Sequence, residues 1–200
     1  MQLIIETATA ACSVALVEDG AVLGERHQIV GRGHAERLVP LIEDLLAARR
    51  PTSILVDCGP GSFTGVRVGL AAAHGLAIGW RVPLHGYCSL GLIAAAAPGD
   101  GPVAVALHGG HGQLFVQSFG RDPLTPIDRL QSLTPLDAAA AIDADFVVGS
   151  GAEALVNVRG FGTALDALPR AADARLLPAT LRELPVRPIY GRAPDARPSP

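Results

Sequence analysis

Three strand-like segments crowd into the first 30 residues, and a helix–strand alternation replaces them immediately afterwards. That change from alternating to helical spacing constrains the fold more than any other feature of the chain. Leu3-Ile4-Ile5 is a short apolar run, and Ser13-Val14-Ala15-Leu16-Val17 is a second. Beyond the turn Glu18-Asp19-Gly20, Ala21 to Val30 reads as a third, more polar strand. Together they predict a β-meander with its third strand at an edge. From His34 to Arg50, Leu38, Leu41, Ile42 and Leu45 fall on one helix face, and Val39 and Leu46 widen the stripe. Pro40 is read as early in that helix, where its missing N–H costs less. Ser53 to Cys58 reads as a buried strand, Gly59-Pro60-Gly61 as a turn, and Ser62 or Phe63 to Trp80 as a second helix. A short strand, Val82 to His85, and a third helix, Ser89 to Ala97, end at Pro98-Gly99. The order βββαβαβα predicts an α/β fold, a mixed sheet with helices on its faces.

The second half starts the pattern again. Val103 to Leu107 and Gln113 to Gln117 are strands joined by the tight stretch His108 to Gly112. They copy the shape of residues 3–17. Asp137 to Ile142 reads as a short helix and Asp145 to Val148 as a strand, and Gly149-Ser150-Gly151 is another turn. Past residue 159 the pattern breaks into short pieces punctuated by proline. The expectation is a duplicated fold, residues 1–100 and a shortened copy at 101–200, with an extended or mobile tail from Gly191 to Pro200.

Composition narrows the chemistry. All 16 basic residues are Arg, so any mechanism that needs a Lys is excluded, including a Schiff base and a Walker-type phosphate grip. The formal net charge of −3 provides no broad basic field for a phosphate backbone. Cys12, Cys58 and Cys88 are widely spaced and form no zinc pattern, which fits buried thiols in a reducing cytoplasm. The N-terminus lacks the basic segment of a signal peptide, and Ala71 to Ile78 is too short and too polar to span a bilayer.

Several features are candidates for chemistry, each with a plainer reading beside it. Glu6 closes the first strand against Thr7 and Thr9, where a carboxylate can orient a phosphate or a hydrated Mg²⁺, or simply face solvent. The segment Gly59-Pro60-Gly61-Ser62-Phe63-Thr64-Gly65 follows a strand and opens a helix. It suits a phosphate cradle, or a turn kept small for packing, with Ser62 as the N-cap. Gly69, Ala71, Ala72, Ala73, Gly75, Ala77 and Gly79 give the second helix small sides. With Leu70, His74 and Ile78 they make either a partner surface or a helix buried on its own sheet. His108 and His111 have metal-like spacing, but no carboxylate or Cys accompanies them, so no metal site is expected. Gly149-Ser150-Gly151 is a weak candidate for an adenine or ribose contact.

The blocks LIIETATAACSVALVEDG, HAERLVPLIEDLL and CGPGSFTGVRVGLAAAHGLAIG resemble the three N-terminal blocks of the bacterial TsaB (YeaZ) family. The resemblance runs through residues 3–98, loosely through 103–119 and 146–152, and weakly returns at PVRPIYGR. It implies two subdomains of the actin/hexokinase/Hsp70 (RNase H-like) type, the second shortened. It also implies a non-catalytic subunit for synthesis of threonylcarbamoyladenosine in tRNA. Such a subunit pairs with the catalytic protein TsaD, is joined by the ATPase TsaE, forms a homodimer when alone, and meets tRNA only indirectly. The family interface uses the two N-terminal helices, here represented by Leu38, Ile42, Arg67, Leu70, Ala71, His74 and Ile78. A nucleotide, ATP or ADP, would sit at the TsaD interface, with none intrinsic to the chain. Its phosphate candidates are Glu6, Thr7, Gly59, Gly61, Ser62 and Gly65. The His-x-x-x-His metal pair of TsaD has no counterpart in Tyr87-Cys88-Ser89-Leu90-Gly91, so no metal and no catalytic residue is expected. The chain departs from the family in having Glu6 where Asp is usual, and Leu107-His108-Gly109 where Asp-Ala-Arg is usual. The alternative function is a small phosphotransferase or ATPase built on Glu6 and the Gly59–Gly65 turn.

Overall fold

A computed structural model describes residues 1–191. Its first sheet is assembled from β1 (Gln2–Glu6), β2 (Ala11–Glu18), β3 (Ala21–Ile29), β4 (Ser53–Asp57) and β5 (Leu84–Tyr87), in the order β3-β2-β1-β4-β5. The meander β1-β2-β3 is antiparallel, while β4 and β5 run parallel to β1. Helix α1 (His34–Leu46) connects β3 to β4, and α2 (Phe63–Trp80) connects β4 to β5. Both helices cover one face, where Leu3, Ile5, Val14, Leu16, Ile54 and Val56 share an apolar cluster with Leu38, Ile42, Leu45 and Leu70.

The first helix is shorter than its spacing predicts. It stops at Leu46 because Ala47 and Ala48 take positive φ, at 45° and 71°. Pro40 lies in mid-helix rather than at its start. Its face is exposed, so the Glu36 carbonyl it leaves unpaired meets water.

After α3 (Ser89–Ala96) the chain builds a second sheet from β6 (Val103–His108), β7 (Leu114–Arg121), β8 (Leu124–Pro126), β9 (Gln131–Leu133), β10 (Phe146–Val148) and β11 (Thr163–Leu165). Its order is β11-β10-β6-β7-β8, with β9 also paired to β7. The core β7-β6-β10-β11 repeats β2-β1-β4-β5, antiparallel at one pair and parallel at the others. Helices α4 (Pro135–Ala141) and α5 (Ala152–Arg159) stand where α1 and α2 stood, with 7 and 8 residues against 13 and 18. The second copy is therefore the shortened one. Three elements of three residues each, β8, β9 and β11, and helix α5 were not predicted.

The main core lies between the two sheets. Ile4, Ala15 and Leu55 of the first sheet and Val103, Val105 and Phe119 of the second close on Tyr87, Leu90, Leu92 and Ile93. The expected division at residue 100 falls between α3 and β6. The chain beyond β11 then returns to the first sheet. Leu184 bridges Gly86, the Ala171 amide donates to Ser13 Oγ at 3.0 Å, and the Ile189 amide donates to the Cys58 carbonyl at 2.7 Å. Of the expected tail, residues 192–200 lie outside the described residues.

Candidate functional site

Parallel pairing of β1 with β4 sets Ile5 beside Val56, so the next residues, Glu6 and Asp57, end the two strands side by side. Glu6 is 0% exposed and Asp57 1%. This overturns the solvent-facing reading of Glu6. Glu6 Oε1 accepts the Ala8 amide at 2.9 Å, and Oε2 accepts the Tyr87 hydroxyl at 3.0 Å. Asp57 Oδ1 accepts the Gly59 amide at 2.8 Å, and Oδ2 accepts the Ser89 hydroxyl at 2.6 Å. Burial, then the negative charge of Asp57, push the Glu6 carboxyl well above its ordinary range. Burial also raises Asp57, while hydrogen bonds from Glu6, Ser89 and Gly59 pull it back. Asp57, Tyr87 and Ser89 escaped the sequence reading. The signal was an acid ending each of two apolar strands, and only the parallel pairing brings the two together.

The glycine turn is built for contact with the β1–β2 turn. A Cβ on Gly61 would lie 2.0 Å from the Ala8 carbonyl oxygen, and one on Gly65 2.1 Å from that of Thr7. One on Gly69 would meet Thr7 Oγ1 at 2.4 Å. The Ser62 amide donates to the Ala8 carbonyl at 2.6 Å, and Thr7 Oγ1 donates to the Gly65 carbonyl at 2.8 Å. Ser62 caps α2 through the Gly65 amide at 3.3 Å. The packing against the β1–β2 turn thus leaves no space for a side chain at these three glycines.

A cleft of about 980 Å³ opens above these turns, between the ends of the two sheets. The first copy lines it with Ala8 to Ala10, Gly61 to Phe63 and Arg67; the second with Leu107 to Gly110, Phe115 and Ser150. Ile189 to Gly191 complete the wall. Of the six phosphate candidates, Gly61 and Ser62 reach the cleft; Glu6, Thr7, Gly59 and Gly65 do not. Glu6 and Thr7 lie beneath, already hydrogen-bonded, and Gly65 is closed off by Thr7. No Asp or Glu is among the described residues lining the cleft. A magnesium-bound nucleotide needs carboxylates or hydroxyls free to order the ion's water. Among the described residues the cleft supplies no carboxylate, and its aliphatic hydroxyls are those of Thr9, Ser62 and Ser150, each accepting a backbone amide. Among the described residues, no group of three or more His, Cys, Asp and Glu is placed to hold a metal ion.

Starting from Phe63 and Arg67 in the cleft wall and running away from it, α2 presents a second feature. Arg67, Ala71, His74 and Ile78 form an exposed stripe, with Phe63 at its head. Phe63 is 57% exposed and Ile78 77%. The Arg67 guanidinium lies 3.5 Å from the Phe63 ring centroid and donates to the Tyr190 hydroxyl at 3.3 and 3.1 Å. Leu38, Ile42 and Leu70 do not belong to this surface. All three are buried in the cluster between helices and sheet, because each sits on the sheet-facing side of its helix. Phe63 and Tyr190 were missed, Tyr190 because it is 123 residues from Arg67 in sequence.

On the edge strand β3, Glu25 pairs with Arg170 and accepts the Ala172 amide at 3.3 Å, tying residues 170–172 to the first sheet. His27 beside it is held below its ordinary pKa, first by burial and then by Arg170. Cys12 is buried, and burial followed by the Glu6 charge push its thiol up to about 11. No helix among the described residues is long and apolar enough to cross a membrane.

Two copies of one mixed-sheet unit, closing on a cleft at their strand ends, define a duplicated α/β fold with helices on its mixed sheets. The comparisons agree. Residues 26–122 match the family model described as TsaD, tRNA N6-adenosine threonylcarbamoyltransferase. The chain is 35% identical over 217 residues to an uncharacterized protein of Mycobacterium tuberculosis, covering 98% of this chain and 93% of that one. It is 36% identical over 128 residues to the tRNA threonylcarbamoyladenosine biosynthesis protein TsaB of Escherichia coli, a match spanning 60% of this chain and 55% of that protein. The crystal structure of YeaZ from Pseudomonas aeruginosa superposes with a TM-score of 0.81 at 28% identity, covering 94% of this chain and 98% of that one. A second structure, described as similar to peptidase YEAZ, gives the same TM-score and identity, covering 96% and 99%. The chain belongs to the TsaB/YeaZ family.

Proposed function

We propose that this chain is a non-catalytic partner subunit in the biosynthesis of threonylcarbamoyladenosine in tRNA, docking through the outer face of α2 on a threonylcarbamoyltransferase of the TsaD kind. The observation that carries the reading is the exposed stripe Arg67, Ala71, His74 and Ile78, along which Phe63 and Ile78 stand as large apolar side chains uncovered by this chain's own fold. A Cβ at Gly75 or Gly79 would meet nothing within 4 Å, so a second helix has room to approach there. The cleft supports the non-catalytic half of the reading, because its acids have withdrawn beneath the floor. In the same reading TsaE joins the pair, a homodimer forms through α2 when TsaD is absent, and tRNA is held by the partners. Residues 1–100 form the docking subdomain and 101–200 its shortened companion. The chain works in the cytoplasm, where its tRNA substrate is made. ATP or ADP, if required, is bound at the TsaD interface rather than by this chain's cleft.

The test is Ala71→Glu with Ile78→Glu, made on the exposed face so that the fold stays intact. Co-purification with TsaD should be lost while thermal unfolding is unchanged. Retained co-purification would place the interface elsewhere. Depletion in the host should lower threonylcarbamoyladenosine among tRNA nucleosides measured by mass spectrometry, and an unchanged level would remove the chain from that route. The rival phosphotransferase reading predicts ATP turnover by the purified chain that disappears in Glu6→Ala.

A further inference from the structure

The acid pair at the strand ends has no role in docking, yet both carboxyls are buried and each is held by two hydrogen bonds. Glu6 and Asp57 end adjacent parallel strands, both excluded from solvent. Among the described residues neither carboxyl has an arginine, a histidine or the N-terminus as a hydrogen-bonding or ion-pair partner. Two carboxylates cannot both stay charged side by side in a buried, cation-free site, so one proton must be retained. The surroundings decide which group holds it. Asp57 sits at the N-terminus of α3, takes the Gly59 amide and the Ser89 hydroxyl, and is favoured as the anion. Glu6 has no helix end behind it and is left as the acid that donates to Asp57.

The pair's partners are the backbone of the two turns under the cleft. Glu6 holds the Ala8 amide of the β1–β2 turn, and Asp57 holds the Gly59 amide of the glycine turn. Tyr87 of β5 joins through Glu6 and also reaches the Ile5 carbonyl at 3.2 Å. We propose that Glu6 and Asp57 share a single proton and act as a pH-sensitive latch, which fastens both cleft turns to the first sheet and loosens them when the proton leaves. The latch spans β1, β4, β5 and the start of α3. The other titratable groups facing it are Cys12 from β2, Tyr87 from β5, and Cys58 and Cys88 from the strand ends. All four are pushed above their ordinary values, chiefly by burial, so they stay neutral over the range in which the pair titrates.

The sign follows from linkage. A carboxyl whose folded pKa is raised binds a proton that the unfolded chain releases. Its stabilisation is complete below the ordinary carboxyl range and is lost as pH rises toward the folded value. The test is urea unfolding of the wild type and of Glu6→Gln as pH rises from about 5, where the unfolding constant of the wild type should gain up to about tenfold per pH unit relative to the variant until the retained proton leaves. A ratio independent of pH overturns the proposal. A second measurement needs no variant. In the wild-type chain labelled with ¹³C at glutamate carboxyls, one glutamate should keep its protonated shift at neutral pH. If every glutamate ionises in the ordinary range, the latch does not exist.

Discussion

At the residue scale, glycine positions divide sharply by what surrounds them. Gly61→Ala drives a methyl against the Ala8 carbonyl, 2.0 Å away, where backbone on both sides cannot yield. The expected cost is about 2–3 kcal/mol, read as a lowered urea midpoint. Gly75→Ala meets open space on an exposed helix and should instead stabilise by about 0.5–1 kcal/mol in the same assay. Sequence alone placed Gly61 in a turn and Gly75 within a helix, and how closely each is packed is set by the fold. Glu6 teaches the same lesson. Its position at a strand end was legible, but its burial was not, because that depends on Asp57 arriving from 51 residues away through the pairing of β1 with β4. Tyr87→Phe removes the hydroxyl that both Glu6 and Ile5 accept, and should cost about 1–2 kcal/mol of stability by thermal or urea unfolding.

At the element scale, α2 carries two opposed faces on one helix. Leu70 is 6% exposed and Ile78 77%, so the same substitution has opposite consequences at the two. Leu70→Glu should prevent folding, seen as loss of the cooperative melt, because it buries an unpaired charge. Ile78→Glu should leave stability within about 0.5 kcal/mol and act on association alone. Helical spacing found α1 and α2 and their lengths to within a few residues. It did not say which side faced the sheet on a helix made largely of Ala and Gly, where both sides are small. Leu38, Ile42 and Leu70 were assigned to a partner through the family resemblance, which points to the two helices and not to the side of each that faces outward. The three-residue strands β8, β9 and β11 were illegible because nothing in so short a run separates a strand from a turn; their pairing with β7 and β10 makes them strands.

At the scale of the whole molecule, the duplication was visible in sequence, whereas the return of residues 170–191 to the first sheet was not. That segment has no periodicity, and single contacts such as Glu25 with Arg170 hold it. Its electrostatics produce a second pH dependence, opposite in sign to that of the acid pair. His27 is held below its ordinary pKa, so it stays neutral in the folded chain while the unfolded chain takes up a proton. Stability is then lost as pH falls through the ordinary histidine range. His27→Gln should flatten the acid side of the profile of melting temperature against pH and leave its alkaline side unchanged. The returning segment also bears on how the protein is made. Strand β5 is an edge until Leu184 reaches Gly86, and the Cys58 carbonyl waits for Ile189. On the ribosome the first sheet therefore emerges with both its β3 and β5 borders open, and keeps them open while the entire second sheet is translated. An unpaired strand edge is a template for other chains. Synthesis order thus makes residues 170–189 the ones that shield the strands made well before them.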